Sequence, residues 1–158
     1  MKVLVLGCGY KRDNSLGEMT YLDTNPDCKP DVVWDLTKHP LPFEDETFDS
    51  IIAIHVLEHL AYQGDADFFF KEFQEYWRIL KPKGHFTGMC PSTDSEWKWG
   101  DPGHKRVIQK ETLVFLDLDN YDTKTMMCDY RNIYTKGNFK VIGFDTKDSN
   151  YTFTLEKK

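Results

Sequence analysis

The sequence is short of the features that mark several large classes of protein. Positive charge is scarce, because 20 lysines and arginines stand against 26 acidic residues and give a formal net charge of -6. An acidic chain gains little from counterion release on a phosphate backbone, so nucleic acid is an unfavoured partner. No apolar run is long enough to cross a bilayer, and Met1-Lys2 leads straight into a predicted strand without a signal peptide. We therefore expect a cytoplasmic protein that does not enter a membrane.

Paired cysteine motifs, repeats and linkers are missing as well. The cysteines at 8, 28, 90 and 128 include no C-x-x-C pair, so we expect reduced thiols, no zinc site and no other metal site. The 158 residues are 40% hydrophobic, which is enough for one well-formed core. The sequence thus predicts a single domain over residues 1–158, and it leaves the oligomeric state open.

Short apolar runs separated by polar turns predict an α/β fold. A helix is expected from about Asp65, with a buried stripe of Phe69, Phe73, Tyr76 and Leu80, and it should stop at "KPKG" (81–84). Residues 109–118 predict a second helix. The predicted strands are 2–6, 20–23, 31–35, 50–56 and 85–90, followed by 138–147 and 150–157, which flank a short turn. This order indicates a mostly parallel sheet with one reversed strand.

Gly7-Cys8-Gly9 directly follows the first predicted strand. Glycines at this place let the backbone approach a ligand closely, although a tight turn without a ligand would use the same residues. A dinucleotide site needs G-x-G-x-x-G, and Arg12 at the third glycine position argues against NAD or FAD. The G-K-[ST] of a P-loop is also missing.

Two carboxylates follow the second and third predicted strands. Asp23 could accept both hydroxyls of a ribose, or it could be a solvated turn residue. Asp35 and Leu36 could contact an adenine edge through a carboxylate and a backbone N–H, and an N-cap role for Asp35 is equally compatible. In an open α/β sheet both positions lie at the edge where ligands bind.

The segments "GCG", "LPFEDETFD", "HVLEHL" and "LKPKG" occur in this order along the chain. With them the sequence resembles the class I S-adenosylmethionine-dependent methyltransferases, in particular those that act on small molecules, over about residues 2–116. The resemblance implies a Rossmann-like, doubly wound, mostly parallel seven-stranded sheet with an antiparallel closing hairpin. It also implies S-adenosyl-L-methionine as cofactor and a small molecule as methyl acceptor.

The resemblance further implies which residues hold the cofactor. The glycine turn would contact its methionine part, Asp23 its ribose, Asp35 its adenine, and the end of the fourth strand its methyl group. The implied cofactor-binding set is Gly7, Cys8, Gly9, Tyr10, Asp23, Thr24, Asp35, Leu36, His55 and Val56.

The sequence departs from the family where the first helix should be. Val5 replaces a frequent acid, Lys11 replaces a glycine, and few residues separate the glycine turn from the second strand. We therefore expect a loop from Tyr10 to Met19, with Lys11 or Arg12 either facing the cofactor carboxylate or solvated. These departures from the family pattern also favour an alternative function, in which the protein is a degenerate, non-catalytic cofactor-binding or interaction module.

Several residues are candidates for the acceptor side. Trp97 and Trp99, in a predicted polar loop, could cover a substrate or pack on the sheet edge. Arg106 belongs to a basic group that could bind an anionic substrate or cap the next helix. His59 and His104 are candidate general bases, because an imidazole can take up a proton near neutral pH. A structural hydrogen bond is the simpler role for His59.

Overall fold

The computed structural model describes residues 1–13, 15–123 and 127–158. Its strands are β1 (Lys2–Leu6), β2 (Glu18–Asp23), β3 (Val32–Val33), β4 (Phe48–Ile54), β5 (Leu80–Pro91), β6 (Phe139–Lys147) and β7 (Asn150–Lys157). They form a seven-stranded sheet in the order β3-β2-β1-β4-β5-β7-β6. Strands β1 to β5 pair in parallel, and β7 runs antiparallel to both of its neighbours. The predicted fold class is therefore confirmed.

The long helix α1 (Ala66–Ile79) covers the sheet between β4 and β5. Its N-cap is Asp65 as predicted, and the Asp65 carboxylate accepts a hydrogen bond of 3.0 Å from the backbone N–H of Phe68. The buried stripe differs from the prediction, since Phe69 is only half-buried and the helix ends before Leu80. The helix ends at Ile79, just before "KPKG" as predicted, but this segment already lies inside β5, which begins before the predicted residue 85. The buried face consists of Phe70, Phe73, Tyr76 and Ile79, together with Glu72.

The connection after β5 is built from short helices. Trp97 and Trp99 lie in α2 (Trp97–Gly100), where the sequence predicted a loop. The helix expected over 109–118 is only α3 (Lys110–Leu113) followed by a 3-10 turn, and α4 spans Asp119–Thr123. No helix in the described ranges has the length and apolar character that a membrane span requires.

The connection between β1 and β2 contains no helix in its described part, which is 7–13 and 15–17; the predicted loop also includes Asn14, which lies outside the described residues. Arg12 holds this loop in place. Its guanidinium donates to the carbonyls of Gly9 and Lys11 at 2.9 and 2.8 Å, and to those of Cys28 and Lys29 at 2.6 and 3.1 Å. The cation also lies 4.5 Å from the ring centroid of Tyr21. Its hydrogen bonds therefore join the loop to the turn that follows β2.

Candidate active site

A cleft of about 220 Å³ opens at the carboxyl ends of the central strands. This is the edge of an open α/β sheet at which ligands bind. Seven of the ten predicted cofactor-binding residues line the cleft, and Cys8, Gly9 and Tyr10 do not. The lining residues are Gly7, Asp23, Thr24, Trp34, Asp35, Leu36, His55, Val56, His59 and Leu60.

The glycine turn contributes Gly7 to the lining of this cleft. Gly7 has a φ of 58°, and a Cβ added there would lie 2.5 Å from Cγ2 of Val56, so only glycine fits. Gly9 also has a positive φ, and its N–H donates to Oδ2 of Asp23 at 2.8 Å. Cys8 is buried, and burial raises the pKa of its thiol. The side chain of Tyr10 is exposed.

The two predicted carboxylates each use one or both oxygens locally. Asp23 accepts from Gly9 through Oδ2 and from the N–H of Asn25 through Oδ1, at 2.8 and 2.9 Å. Asp35 accepts from the hydroxyl and the N–H of Thr37, both through Oδ1, and these bonds lower the pKa of Asp35. Asp35 thus stabilises a turn with one oxygen, while the residue still lines the cleft.

A second cavity of about 330 Å³ adjoins the cleft. His55 and His59 line both spaces, so a ligand in one would meet a ligand in the other at these imidazoles. Trp97 lines the second cavity, whereas Trp99 lines a different one. A further apolar cavity of about 340 Å³ beside α1 shares no lining residue with either space. We call the 330 Å³ space the acceptor cavity; its lining residues are His55, His59, Pro91, Ser95, Trp97, Asp101, His104, Asp148, Ser149 and Asn150.

The two candidate bases meet at the wall of the acceptor cavity. The rings of His59 and His104 are 4.6 Å apart and edge-on to each other. Nδ1 of His59 is 3.2 Å from the carbonyl oxygen of Gly103, and Nδ1 of His104 is 3.3 Å from that of Lys98. The segment that carries His104 is bound to the one that carries His59, because the N–H of Lys105 donates to the carbonyl of Glu58 at 2.8 Å. The sequence-distant histidines are therefore brought together by backbone pairing.

Arg106 lies outside both the cleft and the acceptor cavity and lines the apolar cavity beside α1 instead. Its side chain is buried, with Nη2 2.7 Å from Oε2 of Glu72 and Nε 2.7 Å from the carbonyl of Leu57. Burial raises the pKa of Glu72, and the charge of Arg106 opposes that shift. Tyr76 donates to the other oxygen of Glu72 at 2.9 Å. Arg106 instead ties the end of β4 to α1 and so positions the turn that carries His59.

Several residues that line these two spaces or lie beside them were missed by the sequence analysis. Glu58 is 1% exposed and lies beside His55, whose Nδ1 is 3.1 Å from Oε1 of Glu58. Burial and this carboxylate raise the pKa of the neighbouring thiol of Cys90. The spacing of three between His55 and Glu58 was the available signal, since it places both side chains within one turn. The other missed residues are Trp34, Leu60, Pro91, Ser95, Asp101 and the β6–β7 turn residues Asp148, Ser149 and Asn150.

Comparison with known proteins finds a similar domain and a similar fold. Residues 13–87 match the family model described as a methyltransferase domain. The crystal structure of a SAM-dependent methyltransferase from Archaeoglobus fulgidus is similar over 99% of this chain and 86% of its own, with a TM-score of 0.65 and 20% identity. The family model covers just under half of the chain and the structural likeness extends over almost all of it, so the chain has the fold of the class I S-adenosylmethionine-dependent methyltransferases.

Two further structures have the same fold as this chain. The N-methyltransferase NodS from Bradyrhizobium japonicum WM9, in complex with S-adenosyl-L-homocysteine, is 14% identical over 99% of this chain and 77% of its own, with a TM-score of 0.63. A chain from the complex between the Haloferax volcanii Trm112 methyltransferase activator and the putative methyltransferase is 15% identical over 99% and 82%, with a TM-score of 0.62. No curated protein sequence matches the chain.

Proposed function

We propose that this protein is an S-adenosylmethionine-dependent methyltransferase, which transfers the methyl group of S-adenosylmethionine to a small molecule held in the acceptor cavity. The observation that carries the proposal is that His55 and His59 line both the cleft and the acceptor cavity. Methyl transfer is an in-line displacement, so the two ligands must meet at one wall. Holding them there contributes a large share of the rate, with effective molarities on the order of 10⁵–10⁸ M.

The cofactor takes the 220 Å³ cleft in this proposal. Asp23 accepts hydrogen bonds from the ribose hydroxyls, because its carboxylate lies at the carboxyl end of β2 and borders the cleft. Asp35 and Leu36 contact the adenine, and Gly7 allows the methionine part to approach the backbone. Cys8, Gly9 and Tyr10 belong to the same turn but act through its shape, since they do not line the cleft. The remaining members of the proposed set are Thr24, His55 and Val56.

His59 and His104 are the proposed catalytic residues. In the tautomer that donates Nδ1–H to a backbone carbonyl, each ring keeps a free lone pair on Nε2. Such a lone pair can take the proton of an acceptor hydroxyl as the methyl group is transferred. Trp97 supplies apolar cover from α2, whereas Trp99 supports the helix from the far side.

A small acceptor is favoured over a macromolecule. The acceptor cavity is near the lower end of the range for ligand pockets, about 300–1,000 Å³, and the chain has a net charge of -6. We also propose that residues 1–158 form one domain, because a single sheet spans them. A cytoplasmic location is proposed as well, supported by the free thiols of Cys8, Cys28, Cys90 and Cys128.

The test is a screen of small hydroxyl, amine and carboxylate compounds for formation of S-adenosylhomocysteine. Once an acceptor is found, we expect His59→Ala to lower kcat by roughly 10²–10⁴ while cofactor affinity is kept. His85→Ala is the control, since His85 lies in β5 outside both spaces. Trp97→Ala should raise the KM of the acceptor, and Trp99→Ala should leave it unchanged.

Two outcomes would overturn parts of this proposal. Cofactor binding without methyl transfer to any compound of these classes would support the alternative, a degenerate cofactor-binding module. Full activity in His59→Ala, with a flat pH–rate profile from about pH 6 to 9, would mean that alignment alone carries the reaction and that no imidazole acts as base.

A further inference from the structure

We propose that Glu58, His59 and His104 bind a divalent transition-metal ion at the wall of the acceptor cavity. One ligand atom from each residue lies within 4.8 Å of the other two. Nε2 of His104 is 4.0 Å from Oε1 of Glu58. The sequence analysis predicted no metal site because it considered cysteine spacing, and these ligands come from two segments that meet only in the fold.

The first supporting observation is the state of Glu58. Its side chain is 2% exposed, Oε2 has no hydrogen-bond partner among the described residues, and Oε1 faces Nδ1 of His55 at 3.1 Å. A buried carboxylate with an unpaired oxygen is costly in free energy, and it is normally compensated by a cation or by full hydrogen bonding. A bound metal ion would supply the missing positive charge.

The second observation is the orientation of the two imidazoles. Both place Nδ1 against a backbone carbonyl, His59 against Gly103 and His104 against Lys98, at 3.2 and 3.3 Å. Metal-binding histidines usually donate one ring N–H to such an acceptor, which fixes the tautomer and leaves the other nitrogen for the metal. The backbone therefore already holds both rings as ligands that bind through Nε2.

The donor set indicates the class of metal. Two imidazoles and one carboxylate are the protein ligands of many catalytic zinc sites and of non-haem iron sites, and they leave coordination positions open. Bonds of about 2.1 Å in a tetrahedral site place donor atoms about 3.4 Å apart, so the side chains need to move inward by roughly 1 Å. Asp101 offers a further carboxylate, with Oδ2 3.8 Å from Nε2 of His104.

The open positions would face the acceptor cavity, which His59 and His104 line. A ligand with an oxygen donor could complete the coordination there, and the metal would favour its deprotonated form. This part of the inference rests on the proposed function and narrows the acceptor to an oxygen-donor compound. Metal binding itself does not depend on methyl transfer. Metal binding would also make Nε2 of His59 a metal ligand in place of the proton acceptor described above.

The test measures metal binding to metal-free protein without cofactor or acceptor. We expect one Zn²⁺ per chain by calorimetry, and a visible absorption band when Co²⁺ is used instead. Glu58→Gln and His104→Ala should each weaken Zn²⁺ affinity by at least tenfold. His85→Ala should bind as the wild type does, because His85 forms its ion pair with Glu156 and lines neither the cleft nor the acceptor cavity.

Thermal unfolding separates loss of the site from loss of the fold. Without metal, Glu58→Gln should melt at the same temperature as the wild type or higher, since the uncompensated buried charge is removed. Zn²⁺ should raise the melting temperature of the wild type and not that of Glu58→Gln. Absence of Zn²⁺ binding by the wild type, or equal affinity in all variants, would overturn the proposal. So would a sulfur-to-Co²⁺ charge-transfer band, which would place the metal on a cysteine. None of these outcomes bears on whether the cleft binds S-adenosylmethionine.

Discussion

At the scale of single residues, Gly7 and Gly9 allow the cost of backbone strain to be compared with the cost of a steric clash. Both have a positive φ, 58° and 52°, yet an added Cβ would collide with Val56 at Gly7 and would meet no atom within 4 Å at Gly9. Gly9→Ala should therefore cost only backbone strain, about 1–2 kcal/mol of unfolding free energy. Gly7→Ala adds overpacking against a stiff side chain and should cost about 3 kcal/mol. Urea unfolding of the two variants checks this, and equal losses would contradict it.

Asp23 is the residue on which cofactor affinity should depend most directly. We expect Asp23→Ala to weaken binding of S-adenosylhomocysteine by about 1.5–3 kcal/mol, the range for hydrogen bonds to a charged group. Calorimetry measures the change, with Asp27→Ala as the control because Asp27 is exposed and outside the cleft. An unchanged affinity would show that the ribose binds elsewhere. If the protein bound NAD in preference to S-adenosylhomocysteine, the cleft would not be an S-adenosylmethionine site.

At the scale of elements, Arg12 takes the structural place of the missing first helix. Its donors satisfy carbonyls on two segments, those of Gly9 and Lys11 in the loop after β1 and those of Cys28 and Lys29 in the turn after β2. The guanidinium is thus occupied by backbone, and the expected counter-charge to the cofactor carboxylate is left to Lys11. The loop depends on one side chain where a helix would have its own hydrogen bonds.

A substitution of Arg12 should therefore loosen the loop more than it changes the core. We expect Arg12→Ala to lower the unfolding free energy by about 1 kcal/mol, because the site is exposed, and to speed amide hydrogen exchange at Gly9 and Asp13. Both amides donate to partners that the loop geometry holds, Asp23 and the hydroxyl of Tyr21. Lys11→Ala is the matched control for the loss of a positive charge. Equal exchange rates in the two variants would refute the role given to Arg12.

The strands and helices also show which parts of this fold could be predicted from the sequence. Strands β1, β4, β6 and β7 were predicted within two residues, because apolar runs and hairpin turns are local signals. The start of β5 and the helices after it were not predicted correctly. Pairing with β4 continues β5 back to Leu80, against the propensity of a "KPKG" turn. Glu58 and the β6–β7 turn were missed as site residues because their contacts join segments far apart in sequence.

At the scale of the whole molecule, the charges form a network that should control stability in acid. Although burial favours its neutral form, hydrogen bonds from Arg78 and Leu41 lower the pKa of Glu75. Hydrogen bonds also lower the pKa of several exposed carboxyls. Burial raises the pKa of Glu72, in the opposite direction. The carboxyls with a lowered pKa, among the described residues, are Asp13, Asp35, Asp49, Glu75, Asp94 and Asp129.

The sign of the acid effect follows from these directions. A carboxyl with a lowered pKa binds fewer protons in the native state, so its stabilisation is complete above the ordinary values of 3.8 for Asp and 4.5 for Glu and is lost as pH falls through the lower native values. Glu72 binds its proton more tightly in the native state and opposes the loss. Because more carboxyls have a lowered pKa than a raised one, we expect the urea midpoint of unfolding to fall steadily below about pH 4.5.

The part that Glu75 has in the loss of stability in acid can be tested with Arg78→Gln. Arg78 donates to Glu75, to Asp45 and to the carbonyls of Leu41 and Phe43, so it joins the segment before β4 to α1. The variant should lose about 2 kcal/mol at pH 7, since hydrogen bonds of a charged group are removed. It should lose less at pH 3, where Glu75 is protonated more fully and the pair is already weakened. Urea unfolding at both pH values, with the exposed Lys38→Gln as control, measures the difference. If Arg78→Gln cost the same free energy at pH 3 as at pH 7, Glu75 would have no part in the acid sensitivity, and the exposed aspartates alone would have to account for it.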